Sequence, residues 1–310
     1  MGKEREGGKR PGLSSRDRLL LALEHKEPDR VPFDIGSTQV TGIAVRAYGA
    51  LRKYLCLPEK PLKLCDVIQQ LAFPDEDFIE LFGVDVRGLY PRSSHNWGIK
   101  HRDAGDRWEY LDEWGILYRF PKEGGLYYSI ADSPLSGPNV GPGEIEAHKW
   151  PDTGDFSRIE TLRELAIQYR SQGKAVMLKG VLAGIFEMAQ RIRGMRDCLL
   201  DLVSNQSTAC ALFDKLLELK LSFWEMALPR LGDVVDIVME ADDYGTQTSQ
   251  FMSLDQFREF MKPRLQILFR RIKTLAPHVK IFFHSCGNVR PFIPEFIELC
   301  LLYTSPSPRD

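Results

Sequence analysis

Apolar positions follow two periods along the chain, and their alternation predicts strands separated by helices. A period of 3.6 residues predicts helices over 15–25, 45–55, 76–81, 157–169, 186–193, 195–203, 208–228, 254–275 and 291–299. Short runs rich in β-branched and aromatic residues predict strands over 31–36, 84–89, 175–179, 234–239 and 279–283. Because strands alternate with helices, we expect parallel βαβ units and an α/β fold.

Two α/β architectures fit this order, a doubly wound sheet and an eight-stranded (β/α)8 TIM-type barrel. No Gly-x-Gly-x-x-Gly follows the first predicted strand, which disfavours a dinucleotide-binding sheet. The barrel is therefore the favoured prediction. Two strand-like runs around Gly115 predict a β-hairpin over 107–120, inserted near the mouth of the barrel.

The two ends of the sequence differ from its middle. Residues 1–12 are polar and glycine-rich without an apolar core, which predicts a disordered leader rather than a secretory signal. Residues 300–310 interrupt the last predicted helix and resemble the translation of a sequencing adapter, although a genuine Pro/Ser-rich tail is the alternative. On the adapter interpretation, the barrel occupies 13–299, is truncated, and Cys300 is not a candidate ligand.

Composition narrows the classes of function. A net charge of −2 and a pI of about 6.3 give no basic surplus for binding nucleic acid. No apolar run is long enough to span a bilayer. Six cysteines scattered over the chain do not suggest a disulfide framework. We therefore expect a cytoplasmic protein that acts on a small molecule, with no membrane or nucleic-acid partner.

The strand over 279–283 leads into the most informative motif, His284-Ser285-Cys286. Alternate residues of a strand point to the same side, so the imidazole and the thiol can reach one point in space. Both groups are zinc ligands, and active sites of barrels lie at the carboxyl ends of strands. The alternative is a buried histidine beside a small apolar cysteine, both of which are common in protein cores.

Acidic residues close two other predicted strands. Glu240, Asp242 and Asp243 follow the strand over 234–239, where neighbouring carboxylates suit a general acid or base or could complete a zinc site. Asp34 ends the first strand and either lines the pocket or bonds to the backbone of its turn. We assign Asp242, Asp243 and Asp34 as candidate catalytic residues, and Glu240 as a candidate third metal ligand.

The loops after the last two strands carry further polar side chains. Asn288 and Arg290 follow the His-x-Cys motif, and they could hold an anionic or amide-bearing ligand. Tyr244 and Gln247 follow the acidic residues in the neighbouring loop. We predict that these four residues contact the substrate.

Five runs of residues resemble the uroporphyrinogen decarboxylase superfamily: RVPFD at 30–34, DVIQQLA at 66–72, FGVD at 82–85, DDYG at 242–245 and FHSCG at 283–287. The similarity extends over nearly all of residues 19–299. The superfamily fold is a (β/α)8 barrel, in agreement with the pattern. Its decarboxylases need no cofactor and carry an Arg-Gln-Ala-Gly-Arg stretch after the first strand, where this chain has Asp34-Ile35-Gly36-Ser37-Thr38.

The other branch of the superfamily contains methyltransferases that exchange methyl groups between a corrinoid protein and a thiol. They hold zinc through His-x-Cys and a later cysteine, and His284 and Cys286 match the first two positions. The resemblance therefore implies zinc, a corrinoid-binding partner protein and a thiol acceptor. Two alternatives stay open, a tetrapyrrole decarboxylase and a corrinoid- or tetrapyrrole-binding protein without catalysis.

Overall fold

The computed structural model describes residues 12–95 and 97–299, so the predicted leader and tail lie outside the described residues except for Gly12. The helices are α1 Ser15–Leu23, α2 Val45–Tyr54, α3 Glu76–Leu81, α4 Pro142–Ala147, α5 Leu162–Ser171, α6 Ile185–Arg193, α7 Met195–Ser204, α8 Gln206–Leu231, α9 Leu254–Gln256, α10 Lys262–Leu275 and α11 Ile293–Glu298. The strands are β1 Leu64–Asp66, β2 Leu71–Ala72, β3 Val86–Leu89, β4 Arg102–Asp103, β5 Arg107–Leu111, β6 Leu117–Pro121, β7 Ser129–Asp132, β8 Ala175–Lys179, β9 Ile237–Ala241 and β10 Lys280–His284. Within these residues, every helix is too short or too polar to traverse a bilayer.

A four-stranded parallel sheet forms the centre of the fold. Its strands lie side by side in the order β3-β8-β9-β10, with helices between consecutive strands in the sequence. The spatial order follows the chain order and lacks the reversal that marks a doubly wound sheet. The prediction of a mixed α/β fold with parallel βαβ units is confirmed.

Side chains of the parallel sheet alternate between two apolar layers. Val176, Leu178 and Val238 face the large core formed with the helices. The other face, formed by Ala175, Met177, Ile237 and Met239 with Val86, packs against Leu19 of α1. Both layers are apolar because helices and loops cover both faces of a parallel sheet.

Helix α1 closes the amino-terminal edge of this sheet. Arg16 donates a hydrogen bond to Asp236 at 2.7 Å, across 220 positions of the sequence. Arg18 donates to Asp85 at 2.7 Å, immediately before β3. These ion pairs attach the first helix to the starts of β3 and β9.

The predicted hairpin is confirmed and belongs to a larger antiparallel sheet. Strand β5 pairs with β6 from Arg107 opposite Pro121 to Leu111 opposite Leu117. Strands β4 and β7, which the sequence pattern did not indicate, add one strand on each side. Their short, mostly exposed residues carry little periodic signal.

The prediction of a strand over 31–36 is wrong. Asp85 donates its backbone N–H to the Phe33 carbonyl at 2.8 Å, and its side chain accepts the Phe33 N–H at 2.8 Å. Because one residue takes both backbone groups of Phe33, no strand ladder forms there.

Two predicted elements differ in their bounds for identifiable reasons. Strand β9 begins at Ile237 and continues through Glu240, because residues 232–234 form a 3-10 turn and Lys220 neutralises the Glu240 carboxylate. The helix over 254–275 contains a π-helical turn over Phe257–Met261. Pro263 follows this turn and has no N–H to continue the regular ladder.

Candidate metal centre

Three side chains converge where β9 and β10 end. Nε2 of His284 lies 3.2 Å from Sγ of Cys286 and 3.9 Å from Oδ1 of Asp243. All three potential ligand atoms lie within 4.8 Å of one another. The sequence prediction that His284 and Cys286 reach one point agrees with this geometry, and Asp243 joins them from the neighbouring strand.

This donor set fits a zinc ion. Zinc prefers four ligands in a tetrahedron, with imidazole nitrogen, thiolate sulfur and carboxylate oxygen each at about 2.0–2.3 Å. Those bond lengths separate neighbouring ligand atoms by roughly 3.3–3.8 Å. The two distances that involve His284 Nε2, 3.2 and 3.9 Å, fall close to this range. Three protein ligands leave one tetrahedral position for a substrate atom.

Ionisation of the Cys286 thiol is disfavoured by its surroundings. Partial burial raises the pKa of Cys286 to about 11, and the Asp243 carboxylate beside it adds to the rise. Glu187, in the first turn of α6, acts in the same direction. Negative charge therefore surrounds this sulfur, as suits a site for a cation.

Two glycines hold the ligand-bearing loops together. An added Cβ at Gly287, which has φ +79°, would lie 2.3 Å from the backbone of Gly245. The backbone N–H of Cys286 also donates to Asp243 Oδ1 at 2.7 Å, and Asn288 N–H donates to the Thr246 carbonyl at 2.7 Å. The spacing of the ligand atoms thus depends on a backbone contact that only glycine permits.

Asp242 lies next to the trio in sequence but points to the other side of the sheet. Its carboxylate accepts the backbone N–H groups of Phe186 and Glu187, at 2.9 and 2.8 Å, and the hydroxyl of Tyr244 at 2.8 Å. Burial raises the pKa of Asp242 to about 7. The side chain therefore caps the start of α6 from a neighbouring strand.

Tyr244 is buried in an aromatic cluster. Its ring stacks on Phe186 and meets the edges of Phe257 and Phe292. It was expected to contact the substrate, but its hydroxyl is engaged with Asp242 inside the core.

Glu240 lies on the helix-facing side of β9. Its carboxylate forms a buried ion pair with Lys220 at 2.5 Å and accepts the indole N–H of Trp224 at 2.6 Å. The structure therefore does not bring Glu240 together with His284 and Cys286. Asp243, which was assigned as catalytic, occupies the place expected for Glu240.

Asn288, Arg290 and Gln247, the other predicted substrate contacts, lie in the loops after β9 and β10. Asn288 is partly buried, with its carbonyl accepting from Gln250 at 2.8 Å and its side chain donating to the Thr248 carbonyl at 3.3 Å. Arg290 and Gln247 are exposed. Asn288 therefore joins the loop after β10 to the loop after β9 through hydrogen bonds.

Asp34 bonds within its own turn, as one of its two sequence interpretations predicted. Its carboxylate accepts the Ser37 hydroxyl at 2.5 Å, and Ser37 also lies 3.8 Å from the sulfur of Met177. Burial raises the pKa of Asp34. The turn therefore covers the inner face of β8, below the strand ends.

Sequence reasoning missed Lys179, the last residue of β8. Strand alternation places it on the same face as Met177, and it is partly buried. A charged residue that closes an apolar strand was the signal that drew attention to Asp34, and the same signal was present here.

Comparisons with known proteins match the chain to a family and to a solved structure. The family described as uroporphyrinogen decarboxylase (URO-D) matches residues 129–302, more than half of the 310-residue chain. A methyltransferase from Methanosarcina mazei has a similar fold, with a TM-score of 0.54 and 16% identity over 93% of this chain and 74% of that one. No curated protein matches the chain significantly.

Proposed function

The chain belongs to the uroporphyrinogen decarboxylase family, and on that premise we propose that it is an enzyme catalysing zinc-assisted methyl transfer between a corrinoid carrier protein and a thiol acceptor. The observation that carries the proposal is the convergence of His284, Cys286 and Asp243 within 4.8 Å. The fold shared with a methyltransferase is in keeping with this chemistry.

We further propose that the architecture is a (β/α)8 barrel. The four parallel strands lie in chain order, as consecutive strands of such a barrel do. The trio lies at the carboxyl ends of β9 and β10, which is where barrel enzymes place their active sites.

The protein side chains prepare the acceptor site. His284, Cys286 and Asp243 would hold the zinc, and the fourth position would take the acceptor sulfur. Bound zinc would supply a Lewis acid that keeps the acceptor as a thiolate at neutral pH. The N–H of Cys286 fixes the orientation of the Asp243 carboxylate through their 2.7 Å hydrogen bond.

The remaining assignments complete the proposal. Asp242 is a positioning residue, because its carboxylate secures the start of α6 and thereby the location of Glu187. Asn288 secures the loop of Cys286, while exposed Arg290 and Gln247 are available to a docking corrinoid protein or to a substrate. Asp34 supports the turn over the inner face of the sheet.

A metal titration combined with a transfer assay tests the function. Purified protein is loaded with zinc, and methylcobalamin with 3-mercaptopropionate replaces the natural donor and acceptor. We expect about one zinc per chain and zinc-dependent loss of methylcobalamin, and both should fail in Cys286→Ser, whereas Cys56→Ser, at an exposed free cysteine, should behave as the wild type.

Two further measurements, uroporphyrinogen turnover and corrinoid affinity, separate the alternatives. Metal-free turnover of uroporphyrinogen would favour a decarboxylase and overturn methyl transfer. Corrinoid binding without turnover, with unchanged affinity after Cys286→Ser, would instead indicate a binding protein.

A further inference from the structure

One face of the antiparallel sheet carries three arginines around a single carboxylate. Strand register places Arg102 of β4, Glu109 of β5 and Arg119 of β6 opposite one another in one row. Arg107 lies two residues before Glu109 on β5 and therefore projects from the same face. The opposite face of β5 and β6 packs into the large core, so the arginines lie on the outer face of the sheet.

Glu109 accepts hydrogen bonds from all three arginines and is covered by them. Its side chain is only 2% exposed, whereas those of Arg102, Arg107 and Arg119 are 71%, 40% and 44% exposed. Nε of Arg107 and Nε of Arg119 lie 3.1 and 2.8 Å from Oε1 of Glu109, and Nη2 of Arg102 donates to Oε2. The guanidinium groups, that of Arg102 most strongly, lower the pKa of Glu109 to about 2. The charged carboxylate therefore holds the three guanidinium groups side by side.

The arginines have donors left for a further anion. Among the described residues, no acceptor is bonded to Nη1 or Nη2 of Arg119, nor to Nε or Nη1 of Arg102. Arg107 also donates to Asp106, at 3.0 Å, so the excess positive charge lies at Arg102 and Arg119. A planar guanidinium matches a carboxylate through two parallel N–H bonds, and it loses less freedom on binding when it is already held in place.

The surroundings of the arginines indicate what kind of anion fits. Leu111, on the same face of β5, is 57% exposed and lies opposite Leu117 of β6. Asp103 and Asp106, where β4 leads into β5, are exposed as well, and the chain as a whole has a net charge of −2. These acids would repel a polyanion such as a nucleic acid or an anionic membrane. Single carboxylates beside apolar side chains fit both the arginines and Leu111.

We propose that this face, defined by Arg102, Arg107, Arg119 and Leu111 and called here the arginine face, binds an acidic segment of a partner protein. A carboxylate of that segment accepts from the free N–H groups of Arg102 and Arg119, and an apolar side chain packs on Leu111. The arginine face contains no residue of the metal centre, so its failure to bind would leave the proposed function unchanged.

Fluorescence anisotropy with two labelled hexapeptides tests the inference. One peptide alternates leucine and glutamate, and the other carries glutamine in place of each glutamate. We expect the acidic peptide to bind the wild-type protein about tenfold more tightly, the difference expected for one charge-assisted hydrogen bond. Arg119→Gln and Arg102→Gln should each reduce this preference below about threefold, whereas Arg46→Gln, at an exposed arginine of α2, should keep it.

Salt and a nucleic-acid probe separate the remaining outcomes. Raising sodium chloride from about 50 to about 500 mM should weaken binding of the acidic peptide more than binding of the glutamine peptide. Unchanged melting of the variants would show that their fold is intact, and the comparison of the two peptides on wild-type protein depends on no variant. Equal affinity for both peptides, or a preference that survives Arg119→Gln and Arg102→Gln, would overturn the inference. Tighter binding of an oligothymidylate than of the acidic peptide would overturn the choice of a protein partner.

Discussion

The buried ion pair between Lys220 and Glu240 allows a direct test of what the acid within β9 does. The side chains of both residues are only 2% exposed, and their charged atoms lie 2.5 Å apart. Glu240→Gln removes the negative charge but keeps an oxygen that can accept the Trp224 indole N–H. The Lys220 ammonium is then buried without a counter-charge.

The expected loss of unfolding free energy follows from the unpaired charge of Lys220. Removing one member of a buried ion pair costs about 3–5 kcal/mol of unfolding free energy, because the other charge stays desolvated. Adding Lys220→Met to Glu240→Gln should recover most of the loss, since no buried charge is left. As a matched control, Glu218→Gln breaks the exposed pair with Lys215 on the same helix and should cost less than about 1 kcal/mol.

Urea unfolding followed by far-UV circular dichroism measures these differences. Zinc affinity, measured against a chelating dye, should stay within about twofold of wild type in Glu240→Gln, because Glu240 bonds to Lys220 and Trp224 and to none of the three ligands. A loss of stability below about 1 kcal/mol would show that water reaches the pair. A tenfold weaker zinc affinity would refute the placement of Glu240 outside the metal centre.

Three further perturbations address the site and the sheet beside it. Cys286→Ser should weaken zinc binding by more than the roughly 10- to 100-fold that a lost hydrogen-bond partner of a ligand costs, and titration of Cys56→Ser provides the control. Gly287→Ala combines a positive φ with a backbone clash, so it should lower both stability and zinc affinity; Gly124→Ala, also at positive φ but in open space, should lower stability by only about 1 kcal/mol or slightly more, and equal effects would contradict the clash. Burial raises the pKa of Asp112 to about 6, so the folded state holds this proton more tightly and unfolding free energy should fall, by at most about 3 kcal/mol, from pH 4 to 6. Chemical unfolding at several pH values should show that Asp112→Asn lacks this fall, and parallel curves for the two proteins would contradict it.

The sequence sufficed to predict the α/β class, the hairpin and the pairing of His284 with Cys286. Each of these features follows from the pattern of residues that are close together in the sequence. The strand over 31–36 could not be excluded in this way, because Asp85, a residue 52 positions away from Phe33, takes the hydrogen bonds.

The sequence pattern also did not predict which acid joins the metal centre. Alternation separates Asp243 from Glu240 and Asp242, since odd and even positions of β9 face opposite sides. Both faces of a parallel sheet are apolar, however, so the pattern does not reveal which side belongs to the site. Only the pairing of β9 with β10 identifies Asp243.

The attachment of α1 has a consequence for biosynthesis. One of its two arginines, Arg16, is paired with Asp236, which is translated 220 residues later. At about 5–20 residues per second, ribosomes need roughly 10–45 s to cover that interval. Arg18 of the same helix can pair with Asp85 after only 67 residues, so for the rest of this interval the start of β3 is available to α1 and the start of β9 is not. Of these two ion pairs of α1, the pair with β9 can therefore form only after the pair with β3.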